Sequence, residues 1–256
     1  HVKWVNEVRF SGYGKLVASA SDDQLVKVWE TETGKLLYTF KGHTSNINGV
    51  AFSSDNKTIF SASADGTIKK WNIEKPGQYQ FHVCNNGPWD IPLGDDGKWI
   101  AAACSDTILN VWNLASRTIA QSYSGVSAIA AAISKDGKYL ASGNTNVEIF
   151  DLGQKKKIVS SKGHQNRITG IDWMPRRNLV ATASGDGTVR IWNEKGDSVK
   201  TINSITGSPY SVVFTPDGKK MIVGMSNGKV KLYDTGNWKE TDSVQSGSSL
   251  LNLKVD

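Results

Sequence analysis

The chain has 256 residues, with 30 Lys+Arg against 24 Asp+Glu for a formal net charge of +6, and 38% of its residues are hydrophobic. No apolar run approaches the ~20 residues that a membrane-spanning helix needs, and two cysteines, Cys84 and Cys104, make no disulfide framework. The length is large for one ordinary core, so the apolar surface must be shared among several small ones.

An aromatic residue closes each of six successive segments: Trp29, Trp71, Trp112, Phe150, Trp192 and Tyr233, at intervals of 42, 41, 38, 42 and 41 residues. A unit of that length cannot bury its own apolar face and must stack on its neighbours, so the period dictates the architecture. The units run 1–42, 43–86, 87–124, 125–162, 163–206 and 207–246.

Unit one begins on His1. Unit two shows the pattern in full, with strand-like runs at Ile47–Ser53, Thr58–Ala64, Thr67–Ile73 and Gln78–Cys84. Turn chemistry at Asp55-Asn56, Asp65-Gly66 and Lys75-Pro76-Gly77 separates them. Val, Ile, Phe, Thr and Trp dominate the runs, as a half-buried pleated surface prefers, and no stretch carries a helical period. Unit three keeps Asp106 and Trp112. Unit four has a turn two residues shorter, at Gly143–Asn146, and Phe150-Asp151 at its aromatic position. Unit five repeats unit two closely, and unit six ends in Tyr233. The remainder, 247–256, aligns with Gly207–Pro216, the first strand of unit six. The first residue is the His of a Gly-His pair, so both ends fall inside repeats, as in a window from a longer chain.

Units two and five share Gly-His, then 21 residues, then Asp-Gly, then an aromatic six positions beyond the Asp. His-to-Trp spacing is 28 in units one, two and five (1/29, 43/71, 164/192). This pattern resembles the WD-repeat family of β-propellers along the whole chain. The resemblance implies an all-β fold of four-stranded antiparallel blades arranged radially, with six complete repeats and the first strand of a seventh. A seven-bladed ring completed by sequence outside this chain is preferred to a six-bladed ring with a short tail.

The resemblance also implies structural tetrads: His1, Ser19, Asp23 and Trp29; His43, Ser61, Asp65 and Trp71; His164, Thr182, Asp186 and Trp192. Indole donates to hydroxyl, hydroxyl to imidazole, and imidazole to carboxylate. A hydrolase triad needs one exposed nucleophile and an oxyanion hole, not three equivalent copies, so an architectural role is expected. Unit three has Cys84 and Ala102 at the His and hydroxyl positions. Unit four has Ser124 for His, and unit six has Ile205, Val223, Asn227 and Tyr233. These three blades are expected to rely on apolar packing, through ordinary drift rather than adaptation to a partner. Both cysteines fall in blade three, where a bridge is possible. Buried free thiols and a reducing, cytoplasmic setting are the favoured expectation.

By the family's geometry, residues near the start of each first strand ring one face, the top. Those positions hold Trp4 and Asn6, Asn46 and Asn48, Trp89, Ser127, Arg167 and Thr169, and Tyr210. Trp, Tyr and Arg dominate binding energy at interfaces, so Trp4, Asn6, Trp89, Arg167 and Tyr210 are the candidate residues for a protein or peptide partner. Other domains of the same chain or complex are the expected source. The alternative is a polyanion or small ligand on a basic patch of the opposite face, built from Lys155, Lys156, Lys157, Arg176 and Arg177. Otherwise the charges look dispersed along the chain. No Cys/His spacing suits a metal, no glycine-rich run suits phosphate, and no cofactor, catalysis or base-reading of nucleic acid is expected.

Overall fold

Alternation decides the strands. In Leu25–Glu30, Val26 and Val28 are buried while Lys27 between them is not, so side chains one apart point to opposite faces. A computed structural model describes all residues except 75–77, 83, 85–86, 95–96, 105–106, 117, 204–206 and 246–256. Asp106, Ile205, the Lys75–Gly77 and Asp95-Asp96 turns and the aligned segment 247–256 therefore lie outside the described residues.

The chain divides into two compact units, residues 1–127 and 128–255. In the first, blade one comprises β1 (Val5–Phe10), β2 (Leu16–Ser21), β3 (Leu25–Glu30) and β4 (Leu36–Lys41). Blade two comprises β5 (Ile47–Phe52), β6 (Thr58–Ser63), β7 (Thr67–Asn72) and β8 (Gln78–His82). Blade three comprises β9 (Pro88–Asp90), β10 (Trp99–Cys104), β11 (Ile108–Asn113) and β12 (Thr118–Ser124).

In the second unit, blade four comprises β13 (Ala130–Ile133), β14 (Tyr139–Gly143), β15 (Asn146–Asp151) and β16 (Lys156–Lys162). Blade five comprises β17 (Ile168–Trp173), β18 (Leu179–Ser184), β19 (Thr188–Asn193) and β20 (Ser198–Asn203). Blade six comprises β21 (Pro209–Phe214), β22 (Lys220–Met225), β23 (Lys229–Asp234) and β24 (Glu240–Gln245). Each blade is a four-stranded meander in sequence order, with antiparallel neighbours, as the repeat pattern implies.

Within each unit the blades stack face to face, and small residues on one face receive large ones from the next. Ala18, Ala20, Val26 and Val28 of blade one meet Ile47, Val50, Ile59 and Trp71 of blade two. In the second unit, Ala181, Ala183, Val189 and Ile191 of blade five meet Val212, Phe214, Met221 and Tyr233 of blade six. Fully burying one such aliphatic or aromatic side chain stabilises by about 1.5–3 kcal/mol. Val8 and Phe10 of β1 are half exposed, whereas Val212 and Phe214 at the same register are buried against blade five. Blade one has no preceding blade within its unit.

Close approach of first strands sets the stacking distance. A Cβ on Gly170 of β17 would lie 2.9 Å from the Ser211 Cα of β21, so only glycine fits there. Carboxylates of the first strands then satisfy backbone donors of the next blade: buried Glu7 accepts from the Val50 N–H at 2.8 Å, and half-buried Asp172 accepts from the Phe214 N–H at 2.7 Å.

Candidate functional site

Because strands alternate in direction, the turns between second and third strands share one end of each blade with the segment leading into the first strand. Backbone bonds join the two. Asp22 N–H donates to the Trp4 carbonyl (2.9 Å), Ala64 to Asn46 (2.9 Å), Gly185 to Arg167 (3.0 Å) and Ser226 to Ser208 (2.9 Å). This is the upper end, and every candidate partner residue falls on it.

In three blades a tetrad fastens the lead-in segment to the sheet. In blade two, Trp71 Nε1–H donates to Ser61 Oγ (2.8 Å), His43 Nε2 lies 2.8 Å from that Oγ, and His43 Nδ1 lies 2.8 Å from Asp65. Blade five matches, with Trp192 to Thr182 at 2.9 Å, Thr182 to His164 at 2.7 Å and His164 to Asp186 at 2.8 Å. In blade one the distances are 3.1 Å for Trp29 to Ser19, 2.7 Å for Ser19 to His1 and 2.8 Å for His1 to Asp23. Each Asp also accepts the N–H of the residue after the His: Val2, Thr44 or Gln165.

Burial pushes the imidazoles of His43 and His164 below their ordinary range, against the raising influence of Asp65 and Asp186. Burial raises the carboxyls of Asp65 and Asp186, but bonds from Thr67 and Thr188, from the Thr44 and Gln165 N–H groups and from the histidines outweigh it, leaving each at about 2. A neutral imidazole with its proton on Nδ1 completes the chain of bonds. Ser61 and Thr182 are fully buried and committed to these bonds, so neither presents a nucleophile to a substrate.

Blades three and four depart from this in different ways. Cys84 and Cys104, expected as buried free thiols, are joined as a disulfide, with Cα atoms 6.3 Å apart. Blade three therefore replaces the polar network with a covalent bond, not with apolar packing alone. In blade four, Ser142 holds the hydroxyl position, but Phe150 has no N–H to offer and Ser124 stands at the His position. The Ser142 Oγ is buried without a hydrogen-bond partner. Blade six fills the same region with Val223 and Tyr233, both buried.

A recurrent β-bulge organises the upper ends of the blades. In five blades the pairing of the first strand with the second shifts register just inside its start. The shifts fall between Val5 and Glu7, Ile47 and Gly49, Pro88 and Asp90, Ile168 and Gly170, and Pro209 and Ser211. The residues left out of the ladder are Asn6, Asn48, Trp89, Thr169 and Tyr210. A bulge frees a side chain from the pleat and re-aims it. Two of the five clamp the next blade: Asn6 Nδ2 donates to the Ile47 carbonyl (3.0 Å), and Asn48 Nδ2 to the Pro88 carbonyl (3.1 Å). Asn6 also donates to Asp22 at 2.6 Å. The aromatic pair is presented outward, Trp89 58% exposed and Tyr210 37%.

Trp4, 75% exposed, precedes the blade-one bulge. Arg167, exposed, precedes that of blade five, its N–H bonded to Asn166 Oδ1 at 2.7 Å. Trp4, Asn6 and Trp89 belong to the first unit, Arg167 and Tyr210 to the second.

The alternative basic residues occupy the opposite, lower end of the second unit. Lys155 lies in the turn before β16, and Arg176 and Arg177 lie in the turn after β17. Lys157 is paired with Glu148 at 3.2 Å, and Lys156 stands across the ladder from Asp151. Lys155 (φ 55°) and Arg176 (φ 63°) hold left-handed backbone. The charge proves less dispersed than it first looks: residues 1–127 carry 12 Lys+Arg and 12 Asp+Glu, whereas residues 128–255 carry 18 and 11.

A family model described as the IFT122 first beta-propeller matches residues 1–234. The transcriptional corepressor LEUNIG_HOMOLOG of Arabidopsis thaliana is 28% identical over 232 residues, which are 88% of this chain and 29% of that protein. An uncharacterized WD repeat-containing protein of Synechocystis sp., sll1491, is 32% identical over 139 residues, 52% of this chain and 40% of its own length. The target of rapamycin complex subunit wat1 of Schizosaccharomyces pombe is 29% identical over 126 residues, 48% of this chain and 40% of its own length. The chain thus spans less than half the length of each of these curated relatives.

Proposed function

The chain belongs to the WD-repeat β-propeller family, typically a non-catalytic protein-interaction scaffold, and from that premise we propose that it binds a protein or peptide through the upper ends of its blades. The observation that carries this reading is made in each unit by itself: Trp89 on a bulge and Trp4 on the lead-in to blade one in the first, and Tyr210 on a bulge and Arg167 on the lead-in to blade five in the second. Large aromatic faces held outward by a rigid backbone lose little conformational freedom on binding, and Trp, Tyr and Arg are the residues that dominate interface energies. Asn6 and Asn48 serve the surface indirectly, by holding neighbouring first strands in line. One relative is named as a subunit of a complex, and assembly into a multi-protein complex is the setting that suits this surface.

A second reading, docking of a polyanion on the lower end of the second unit, is favoured by the concentration of the net charge in residues 128–255. Salt separates the two. Polyanion binding through several phosphate contacts falls by orders of magnitude between roughly 50 and 200 mM salt, while aromatic-centred peptide binding changes little. The partner's dissociation constant measured at both salt concentrations tests the proposal. A steep loss of affinity contradicts the upper-end reading.

A further inference from the structure

Blade three is the one blade among the described residues whose lead-in segment is fastened by a covalent bond that can be undone chemically. Cys84 stands 41 residues after His43, and Cys104 stands 41 after Ser63. In blade two these positions hold the lead-in through His43 to Asp65 and through Ser63 Oγ to the Ser45 carbonyl (3.1 Å). In blade three the sulfur–sulfur bond takes both places, and Ala102 leaves no hydroxyl for a tetrad to form in its absence.

The consequence falls on Trp89. Strand β9 is three residues long, and Cys104 is itself the ladder partner of Pro88, with Trp89 bulged between Pro88 and Asp90. The position of Trp89 therefore rests on a short ladder, the Asn48 clamp on Pro88 and the tether from Cys84 to Cys104. We propose that the Cys84–Cys104 bond is a thiol–disulfide switch that fixes the strand carrying Trp89 when oxidised and loosens it when reduced. As regulation of the interaction surface, this rests on the upper-end reading above.

The exchange needs a dithiol reductant. One of its thiolates attacks a sulfur of the pair, forming a mixed disulfide and expelling the other cysteine as a thiolate, which takes up a proton. The second thiol of the reductant then displaces the remaining cysteine, leaving two protein thiols and an oxidised reductant. Both cysteines are buried, so attack requires local opening of the segment. The tetrads of blades one, two and five contain no redox-active group and do not respond.

Amide hydrogen exchange followed by mass spectrometry, on the full chain with and without dithiothreitol, tests the proposal. Reduction is expected to speed exchange across Gly87–Ile91 by roughly tenfold or more, leaving the matching segments 46–50 and 167–171 unchanged. Cys104→Ser should reproduce the fast pattern without reductant. Cys84→His with Ala102→Ser, which restores tetrad chemistry, should exchange slowly under both conditions. Exchange across Gly87–Ile91 that is indifferent to reductant, or a rise spread equally over all blades, overturns the switch. Failure of the interaction reading would look different: partner binding indifferent to Trp89→Ala in a chain whose exchange still responds to reductant.

Discussion

Asn48 donates its side-chain amide to the carbonyl of Pro88 across 3.1 Å, so the bulged residue of blade two grips the residue just before the bulge of blade three. Asn6 makes the same reach one blade earlier, to the Ile47 carbonyl at 3.0 Å. The first strands of the first unit are thereby linked in sequence at the end where Trp4 and Trp89 stand exposed. An asparagine on a bulge here aligns the neighbour, and an aromatic on a bulge faces outward.

Asn48→Ala should therefore destabilise the chain by about 1 kcal/mol, the net worth of one such hydrogen bond. It should also weaken partner binding more than its own exposure would explain, because Trp89 loses a support. Urea denaturation beside a binding titration checks both. Unchanged affinity together with unchanged stability would show that the clamp contributes nothing.

The hydroxyl position of the tetrad predicts effects of opposite sign in two blades. Ser61→Ala leaves the Trp71 indole N–H and His43 Nε2 buried without their shared partner, and should destabilise by about 2 kcal/mol. Ser142→Ala removes a buried hydroxyl that has no partner, and should be neutral or stabilising by up to about 1 kcal/mol. Denaturant midpoints of the two variants, measured side by side, test the contrast.

Acid should erode stability in two stages. His43 and His164 have folded pKa values below their ordinary 6.5, so the unfolded chain binds protons first and stability falls as pH drops below 6.5 towards their folded values. Asp65 and Asp186 sit at about 2 rather than 3.8, so their contribution is present above 3.8 and is lost as pH falls through about 2. Stability measured from pH 8 to pH 2 should show both losses, and Asp65→Asn with Asp186→Asn should flatten the lower one.

Close packing of first strands predicts that Gly170→Ala is harmful although Gly170 is not in a left-handed conformation. The added Cβ meets the backbone of Ser211 and Val212 at 2.9 and 3.0 Å, and backbone cannot step aside as a flexible side chain can. A loss of about 1–3 kcal/mol is expected, as for overpacked cores, read as a lower denaturation midpoint.

The blades were legible in the sequence because a period near forty and Asp-Gly turns are properties of residues in order. The His, hydroxyl, Asp and Trp positions were legible for the same reason: spacings of 18, 22 and 10 residues recur in the hydrogen bonds of blades one, two and five. The bulges were not legible. Asn6, Asn48, Trp89, Thr169 and Tyr210 share no chemistry, and what they have in common is a register shift that arises only when two strands pair. Pairing of Cys84 with Cys104 stands in the sequence only as a possibility, because a separation of 20 residues says nothing of the Cα–Cα distance, which decides whether a bond can close. Alignment with Ser63 would have been the signal, since it places Cys104 where blade two already reaches for its own lead-in segment.

The most direct test of the central claim is quantitative affinity capture by the full-length protein, compared with two folded variants. One is Trp4→Ala/Trp89→Ala in the first unit, and the other is Arg167→Ala/Tyr210→Ala in the second. Both should keep the circular dichroism of the parent, since all four side chains are exposed. If the upper-end reading holds, a partner captured by the parent is lost or weakened by about tenfold or more in at least one variant, as for interface hot spots, while Lys155→Glu/Arg176→Glu retains it. Full retention by both upper-end variants, with loss in the lower-end variant, would contradict it and move the binding site to the basic end of the second unit.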